Sequence, residues 1–84
     1  MNGIQWSKRA FKQLRKLPGK DAKAIFDAAG TLIHFPVCRN VKKLTDHPYD
    51  YRMRVGAYRV MFNFDGEIRI ISIEEVKRRN ENTY

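Results

Sequence analysis

The second half of this chain alternates apolar and polar side chains with a period of two, and this pattern constrains the fold more than any other feature. Residues 51–55 and 58–64 place an apolar side chain at every second position, and Gly56-Ala57 separates them. A third apolar-rich run covers residues 67–76, after Asp65-Gly66. Strands that bury one face show this alternation, and two-residue turns containing glycine join such strands into hairpins. The pattern predicts a three-stranded antiparallel meander.

The first half of the chain has a helical period instead. Ile4–Trp6 predicts a brief strand, and Ser7 is a suitable N-cap for a helix that Pro18-Gly19 ends. A second helix is predicted over residues 21–35, and Pro36 ends it. The apolar stripes of the two helices are Ala10, Phe11, Leu14 and Leu17, and Ala22, Ile25, Phe26, Ala29, Leu32 and Ile33. Because the apolar faces of a helical hairpin need a sheet to cover, we expect a small α+β domain.

Length and composition fit one domain over residues 1–84. The chain is 43% hydrophobic, which is enough for a single modest core. Residues 36–50 show no period and predict a loop, in which Lys42–Leu44 begin the first meander strand or lead into it. The single Cys38 can form no internal disulfide and makes no metal site by itself, which favours a reduced cytosolic setting. Since no stretch resembles a signal peptide or a membrane span, we expect a cytoplasmic protein with no membrane partner.

The net charge of the chain is strongly positive. Seventeen basic residues against nine acidic ones give +8. Such a field favours nucleic acid, the ribosome or an acidic protein as a partner, although a basic surface can also serve solubility alone. One helix carries a group of cations with no acidic neighbour, which fits either rRNA contact or a solvated face. This group is Lys8, Arg9, Lys12, Arg15 and Lys16.

Turn geometry predicts that several arginines share one face of the sheet. With Gly56-Ala57 as the first turn, Arg54 lies opposite Arg59; with Asp65-Gly66 as the second, Arg59 lies opposite Ser72. The predicted arginine face holds Arg52, Arg54, Arg59, Ser72 and Glu74, and Val76 and Arg78 follow on this face along the last strand. The opposite face, which we expect to pack on the helices, holds Tyr51, Met53, Val55, Tyr58, Val60, Phe62, Ile71 and Ile73. Because opposed like charges cost stability, we expect an anion between the arginines, unless a carboxylate such as that of Glu74 pairs with them.

Several short motifs occur together in the chain. They are Tyr51-Arg52-Met53-Arg54-Val55-Gly56, Tyr58-Arg59-Val60-Met61-Phe62, Val76-Lys77-Arg78-Arg79 and Tyr84, with the Pro18-Gly19 break and Leu44-x-x-His47-Pro48. Over nearly the whole chain this set resembles the RelE/ParE toxin superfamily of type II toxin–antitoxin systems. The resemblance implies a RelE-like fold and, in the RelE branch, an endoribonuclease without metal or cofactor that cuts mRNA on the ribosome and is silenced by an acidic antitoxin. In the ParE branch the same scaffold poisons DNA gyrase, and the hairpin motif does not separate the branches.

The resemblance to the RelE branch implies a role for five residues in the reaction. Arg52 and Arg54 would hold the scissile phosphate, and Arg59 and Arg78 would hold charge in the transition state. Tyr84 would stack on a base. The residues that we expect to bind substrate or rRNA are Lys8, Arg9, Lys12, Lys42, Lys43, Lys77 and Arg79.

The sequence leaves open which group removes the proton of the attacking 2′-hydroxyl. RelE carries lysines where this chain has Arg52 and Arg54, and an arginine does not lose its proton. The sequence has no histidine pair of the usual acid–base kind and no carboxylate cluster suited to two metals. His47, just before Pro48, is a candidate auxiliary base or a turn residue. His34 is expected to cover the core or to cap a helix.

Overall fold

A computed structural model of the chain describes residues 1–79. Its elements are β1 (Gly3–Trp6), α1 (Lys8–Arg15), α2 (Gly19–Gly30), a 3₁₀ turn (Thr31–His34), β2 (Val41–Lys43), β3 (Tyr51–Val55), β4 (Tyr58–Asp65) and β5 (Ile70–Arg78). The strands form one mixed sheet in the order β1-β5-β4-β3-β2. The predicted α+β class is confirmed, whereas Tyr84 lies outside the described residues. Within residues 1–79 no helix has the length and apolar character needed to cross a membrane.

The first helix forms as predicted, and the second ends earlier than predicted. Ser7 caps α1, because its Oγ accepts the backbone N–H of Ala10 at 3.0 Å. The second helix ends at Gly30, and residues 31–34 form the tighter 3₁₀ turn, so the expected continuation to Phe35 is wrong. Glycine weakens a helix by about 1 kcal/mol relative to alanine, which favours an end at this position.

Two further strands pair with the meander at its edges. β1 lies parallel to β5, and β2 lies antiparallel to β3. The expected architecture of a three-stranded meander with a separate N-terminal strand was therefore incomplete. β2 lies inside the predicted loop, where Lys42–Leu44 were expected to begin the first meander strand or to lead into it, and it is a separate strand. Three residues are too few to show an alternation in the sequence. Pairing with β3 is what makes this segment a strand.

The core lies between the sheet and the two helices. The predicted core face is buried at Met53, Tyr58, Val60, Phe62, Ile71 and Ile73, and the helices add Ala10, Leu14, Ile25, Ala29 and Leu32. Phe11 and Phe26, however, are 48% and 55% exposed, so their assignment to the core was wrong. Both contact other groups near the surface: Phe26 stacks on Trp6 at 5.9 Å, and the Arg15 guanidinium lies 6.0 Å from the Phe11 ring.

The first hairpin has the predicted register, and the second does not. Arg54 lies opposite Arg59 across the Gly56-Ala57 turn, as expected. The chain does not reverse at Asp65-Gly66 alone, because residues 66–69 form a four-residue loop before β5. The Asp65 carboxylate stabilises this longer loop, since it accepts two backbone N–H groups of the loop at 3.0 and 3.4 Å.

A β-bulge shifts the register between β4 and β5 by one more residue. Met61 of β4 lies opposite Glu75 of β5, whereas the next residue, Phe62, lies opposite Ile73. Glu74 is therefore an extra residue with no partner position in β4. Because side chains alternate along a strand, the extra residue exchanges the faces of all residues that follow it. Arg59 therefore lies opposite Lys77, and the prediction that it faces Ser72 was wrong.

Candidate anion-binding site

Two neighbouring strands bring the predicted arginines together on the sheet face that the helices do not cover. Arg52 and Arg54 on β3 and Arg59 on β4 line one cavity of about 400 Å³, here called the arginine cavity. The residues between 1 and 79 that line it are Lys42, Leu44, His47, Arg52, Arg54, Arg59, Met61 and Arg79. Five of these eight residues are cationic and none is acidic. An arrangement of this kind can hold a phosphate group through several charge-assisted hydrogen bonds.

Part of the cavity wall is apolar. Met61 lies on the arginine face but is only 4% exposed, and Leu44 lies beside the same cavity. The alternation along β4 predicts the position of Met61, whereas no pattern in the sequence indicates Leu44. Leu44 reaches the cavity because its N–H donates to the Asp50 carbonyl at 2.8 Å, which closes the loop between β2 and β3. Apolar surface beside an anion excludes water and strengthens its attraction to the guanidinium groups.

The end of the last strand contributes Arg79 to the cavity, not Arg78. Arg78 lies opposite Tyr58, whose side chain is in the core, so the expected placement of Arg78 on the arginine face was wrong. Lys77 lies opposite Arg59, and Arg79 follows it on the same side and lines the cavity. The bulge is the physical reason, because it exchanges the faces of these residues.

The bulge also changes which other residues of β5 reach the arginine face. Val76 was expected on this face and is instead buried in the core. Glu75, not Glu74, forms an ion pair there, with its carboxylate 3.6 Å from the Lys77 ammonium. Lys77 thus has an acidic neighbour at the edge of the arginine face.

Arg78 lies near a polar contact between α2 and β4. The Tyr58 hydroxyl donates a hydrogen bond to the Asp21 carboxylate at 2.8 Å. This hydrogen bond, together with burial and the negative charge of Asp21, raises the pKa of Tyr58 above its ordinary value of 10.0, while the charge of Arg78 acts in the opposite direction. The phenol therefore stays protonated at neutral pH, and Arg78 lies near it on the helix side of the sheet.

The other expected binding residues lie on separate surfaces. Lys42 lines the arginine cavity, but Lys43 lies opposite Tyr51 and so belongs to the helix side. A second concave surface on α1 is lined by Lys8, Arg9, Phe11, Lys12, Gln13 and Lys16. Arg9 connects this α1 surface to the β2–β3 loop, because its guanidinium donates to the Tyr49 hydroxyl at 3.4 Å.

The two histidines lie in different places. His47 lines the arginine cavity, and its Nδ1 accepts the backbone N–H of Tyr49 at 3.1 Å. His34 ends the 3₁₀ turn and lines a different groove together with Cys38. Burial raises the pKa of the Cys38 thiol, so this side chain stays protonated at neutral pH. Within residues 1–79 no group of three or more histidine, cysteine or carboxylate side chains is arranged to hold a metal ion.

Known proteins match the chain over nearly its whole length. The sequence model of the family described as the ParE toxin of type II toxin–antitoxin systems matches residues 4–83. A protein of Methanocaldococcus jannaschii, provisionally named toxin RelE1, is 30% identical over 79 residues, which are 90% of this chain and 88% of that protein.

Solved structures show the same fold. A chain of the archaeal RelE–RelB complex from Pyrococcus horikoshii matches with a TM-score of 0.80 and 28% identity, over 95% of this chain and 97% of that one. A chain of the toxin–antitoxin complex RelBE2 from Mycobacterium tuberculosis matches with a TM-score of 0.79 and 27% identity, over 93% and 98%. The isolated Escherichia coli RelE toxin, at 18% identity and a TM-score of 0.80 over 96% and 87%, shares the fold. The chain therefore belongs to the RelE/ParE superfamily of toxins from type II toxin–antitoxin systems.

Proposed function

We propose that this toxin is a ribosome-dependent endoribonuclease that cuts mRNA. The observation that supports this most is the convergence of Arg52, Arg54, Arg59 and Arg79 on one cavity, to whose lining residues 1–79 contribute no carboxylate. A guanidinium group can bind two phosphate oxygens at once through two parallel N–H donors. The charge on a phosphate grows when a fifth oxygen adds to it, so a ring of cations stabilises the transition state more than the substrate.

The nucleophile in this proposal belongs to the RNA. The 2′-oxygen attacks the adjacent phosphorus and the bond to the 5′-oxygen breaks; the 2′-hydroxyl loses a proton, and the leaving 5′-oxygen gains one. The products are a 2′,3′-cyclic phosphate and a 5′-hydroxyl. Since arginine does not accept the proton, Arg52, Arg54 and Arg59 align the phosphate and stabilise its charge. At the end of the last strand, Arg79 stabilises the charge of the transition state, a role that the resemblance suggested for Arg78.

The α1 surface is the proposed contact with the ribosome. Lys8, Arg9 and Lys12 form a basic group on an exposed helix, which suits the phosphate backbone of rRNA. The hydrogen bond from Arg9 to Tyr49 connects this surface to the loop that borders the arginine cavity. Binding of rRNA at α1 would thus take place beside the loop that borders the proposed mRNA site.

An acidic antitoxin is the proposed regulatory partner. The similar Pyrococcus horikoshii and Mycobacterium tuberculosis chains come from toxin–antitoxin complexes. A net charge of +8 favours an acidic, partly disordered partner that folds on the toxin. Phe11 and Phe26 are exposed apolar side chains on the two helices that such a partner would cover.

A second candidate function is the inhibition of DNA gyrase without catalysis. The observation that favours it is the family model itself, which describes ParE toxins and matches residues 4–83. On this alternative the arginine cavity would bind an anionic group of its target without breaking a phosphodiester.

Cleavage of mRNA on purified ribosomes, set beside a gyrase assay, tests the proposal. We expect cleaved mRNA whose ends are a 2′,3′-cyclic or 3′-phosphate and a 5′-hydroxyl. Arg54→Ala should lower the single-turnover rate about 10²–10³-fold, and Arg54→Lys should keep substantial activity because it keeps the charge. Lys23→Ala is the matched control, since Lys23 is an exposed cation that pairs with Asp27 on α2, and it should cleave like the wild type.

Two outcomes would contradict the proposal. Intact mRNA together with broken DNA in the gyrase assay would establish the second candidate instead. A 3′-hydroxyl product would show that water, and not the 2′-hydroxyl, is the nucleophile.

A further inference from the structure

His47 lies at the wall of the arginine cavity with one ring nitrogen already engaged. We propose that this histidine is neutral and that its Nε2–H donates a hydrogen bond to a phosphate oxygen in the cavity, so that the ring acts as an electrostatic stabiliser and not as a base. The inference rests on the proposed function in one respect, namely that a phosphodiester occupies the cavity.

The loop that carries His47 is held at both of its ends. The Leu44 N–H donates to the Asp50 carbonyl at 2.8 Å, which closes the loop on itself. The Asp50 N–H donates to the side-chain oxygen of Asn63 on β4, also at 2.8 Å, which ties the loop to the sheet. Tyr49 adds a third contact, because its hydroxyl accepts a hydrogen bond from the guanidinium of Arg9 on α1. A ring carried on such a loop needs little further ordering when an anion binds.

The hydrogen bond to Tyr49 determines which nitrogen of His47 carries the proton. A backbone N–H can only donate, so Nδ1, which accepts it at 3.1 Å, must present its lone pair. A neutral imidazole has one protonated nitrogen, and here this is Nε2. Protonation of Nδ1 would set two N–H groups against each other, so the observed contact requires the neutral ring.

This tautomer decides what the ring can do. Nε2 has no lone pair left to take a proton from the 2′-hydroxyl, so the interpretation of His47 as an auxiliary base does not agree with the hydrogen bond to Tyr49. Nε2–H can instead donate to a phosphate oxygen whose charge grows in the transition state. Since the cavity lining already has five cations, His47 adds a directed donor without adding charge. The proton of the 2′-hydroxyl leaves to a group other than this ring.

Three substitutions distinguish a donor from a base. The amide of Gln in His47→Gln can place an N–H near the position of Nε2, but it cannot accept a proton at neutral pH. We expect His47→Gln to cleave within about tenfold of the wild-type rate, and His47→Ala to lose about 10²-fold. His47→Asn should resemble His47→Ala, because its shorter amide reaches only the position of Nδ1. Thr45→Ala, in the same exposed loop, is the matched control and should cleave like the wild type.

Two results of these measurements would overturn the inference. If His47→Gln is as slow as His47→Ala while both variants keep the wild-type melting temperature, the ring is a base. If His47→Ala cleaves like the wild type, the ring takes no part in the reaction.

A second readout does not depend on activity. Two-bond proton–nitrogen correlation spectra of the purified toxin distinguish a protonated from an unprotonated ring nitrogen, and we expect the proton on Nε2. Addition of a 2′-deoxy dinucleotide, which has one phosphodiester and no nucleophile, should shift the Nε2–H signal, and this probe should bind more weakly to His47→Ala than to His47→Gln. A proton on Nδ1, or an Nε2–H signal that the dinucleotide leaves unchanged, would contradict the inference. If the wild type cuts no mRNA, the proposed function fails, while these spectra still decide the role of the ring.

Discussion

Arg54 and Arg59 lie directly opposite each other on β3 and β4, in a position that opposite charges or apolar pairs would stabilise better. The apolar side chain of Met61 and the cations Arg52 and Arg79 border the same space. Because a guanidinium keeps its proton at any physiological pH, the cavity stays cationic whatever it binds. At the scale of the residue, the described lining of the cavity suits charge stabilisation, and among these residues His47 is the proposed neutral donor.

Arg78 and Arg79 are adjacent and chemically identical, so their substitutions form a matched pair. Arg79→Ala removes a cation from the cavity and should lower the single-turnover cleavage rate about 10²–10³-fold. Arg78→Ala should leave the cleavage rate within about tenfold of the wild type. We expect little change in its melting temperature, because the Arg78 side chain is exposed. Equal losses of activity in the two variants would mean that the register of β5 differs from the one described.

At the scale of the element, the position of Arg79 depends on how α1 packs against β5. The bulge at Glu74 interrupts the ladder between β4 and β5, and side chains of the helix region bond to backbone groups there. Ser7 Oγ donates to the Glu74 carbonyl at 3.1 Å, and Gln13 Oε1 accepts the Val76 N–H at 2.6 Å. Both contacts hold the bulge in place, and the bulge turns Arg79 toward the cavity.

Gln13→Ala should therefore affect both stability and cleavage, although Gln13 does not line the arginine cavity. The change leaves the Val76 N–H without its partner, and we expect the free energy of unfolding to fall by about 1–3 kcal/mol in urea titrations. Cleavage should fall as well, since the end of β5 loses a contact that holds its register. Gln13→Glu keeps an acceptor oxygen and serves as the control. Equal stability and activity of Gln13→Ala and Gln13→Glu would show that the helix does not support the bulge.

At the scale of the whole molecule, the positive charge is divided between two surfaces. The arginine cavity lies on the uncovered face of the sheet, and the α1 surface carries Lys8, Arg9 and Lys12. The hydrogen bond between Arg9 and Tyr49 joins the two surfaces. This division suits a toxin that would contact rRNA with one surface and a scissile phosphate with the other, and an acidic antitoxin could neutralise both.

The salt dependence of ribosome binding tests this division. Each lysine that contacts a phosphate adds about 1 to the slope of log affinity against log salt concentration, so the double variant Lys8→Ala/Lys12→Ala should reduce that slope by about 2. Lys23→Ala removes an exposed cation on α2 and should leave the slope unchanged. A slope that is the same in the double variant and the wild type would mean that α1 does not touch rRNA.

Local patterns predicted much of this fold from the sequence. Ser7 caps its helix because the capping hydrogen bond spans only three residues, and Gly56-Ala57 determines the β3–β4 register because the turn lies between the paired residues. The prediction was wrong where a local pattern was ambiguous. Asp65-Gly66 suits a two-residue turn, but the Asp65 carboxylate also stabilises the longer loop that the chain adopts.

The sequence by itself determined that Arg52, Arg54 and Arg59 share a face, because alternation and one short turn are sufficient for that. The tertiary structure alone decided that Arg79, and not Arg78, completes the cavity. The reason is the bulge in β5, which is stabilised by Gln13, 63 residues away from Val76 in the sequence. Likewise, Leu44 and His47 reach the cavity only because β2 pairs with β3 and the loop between them closes. Contacts between distant residues leave no periodic signal in the sequence, so the full lining of the cavity could be identified only from the folded structure.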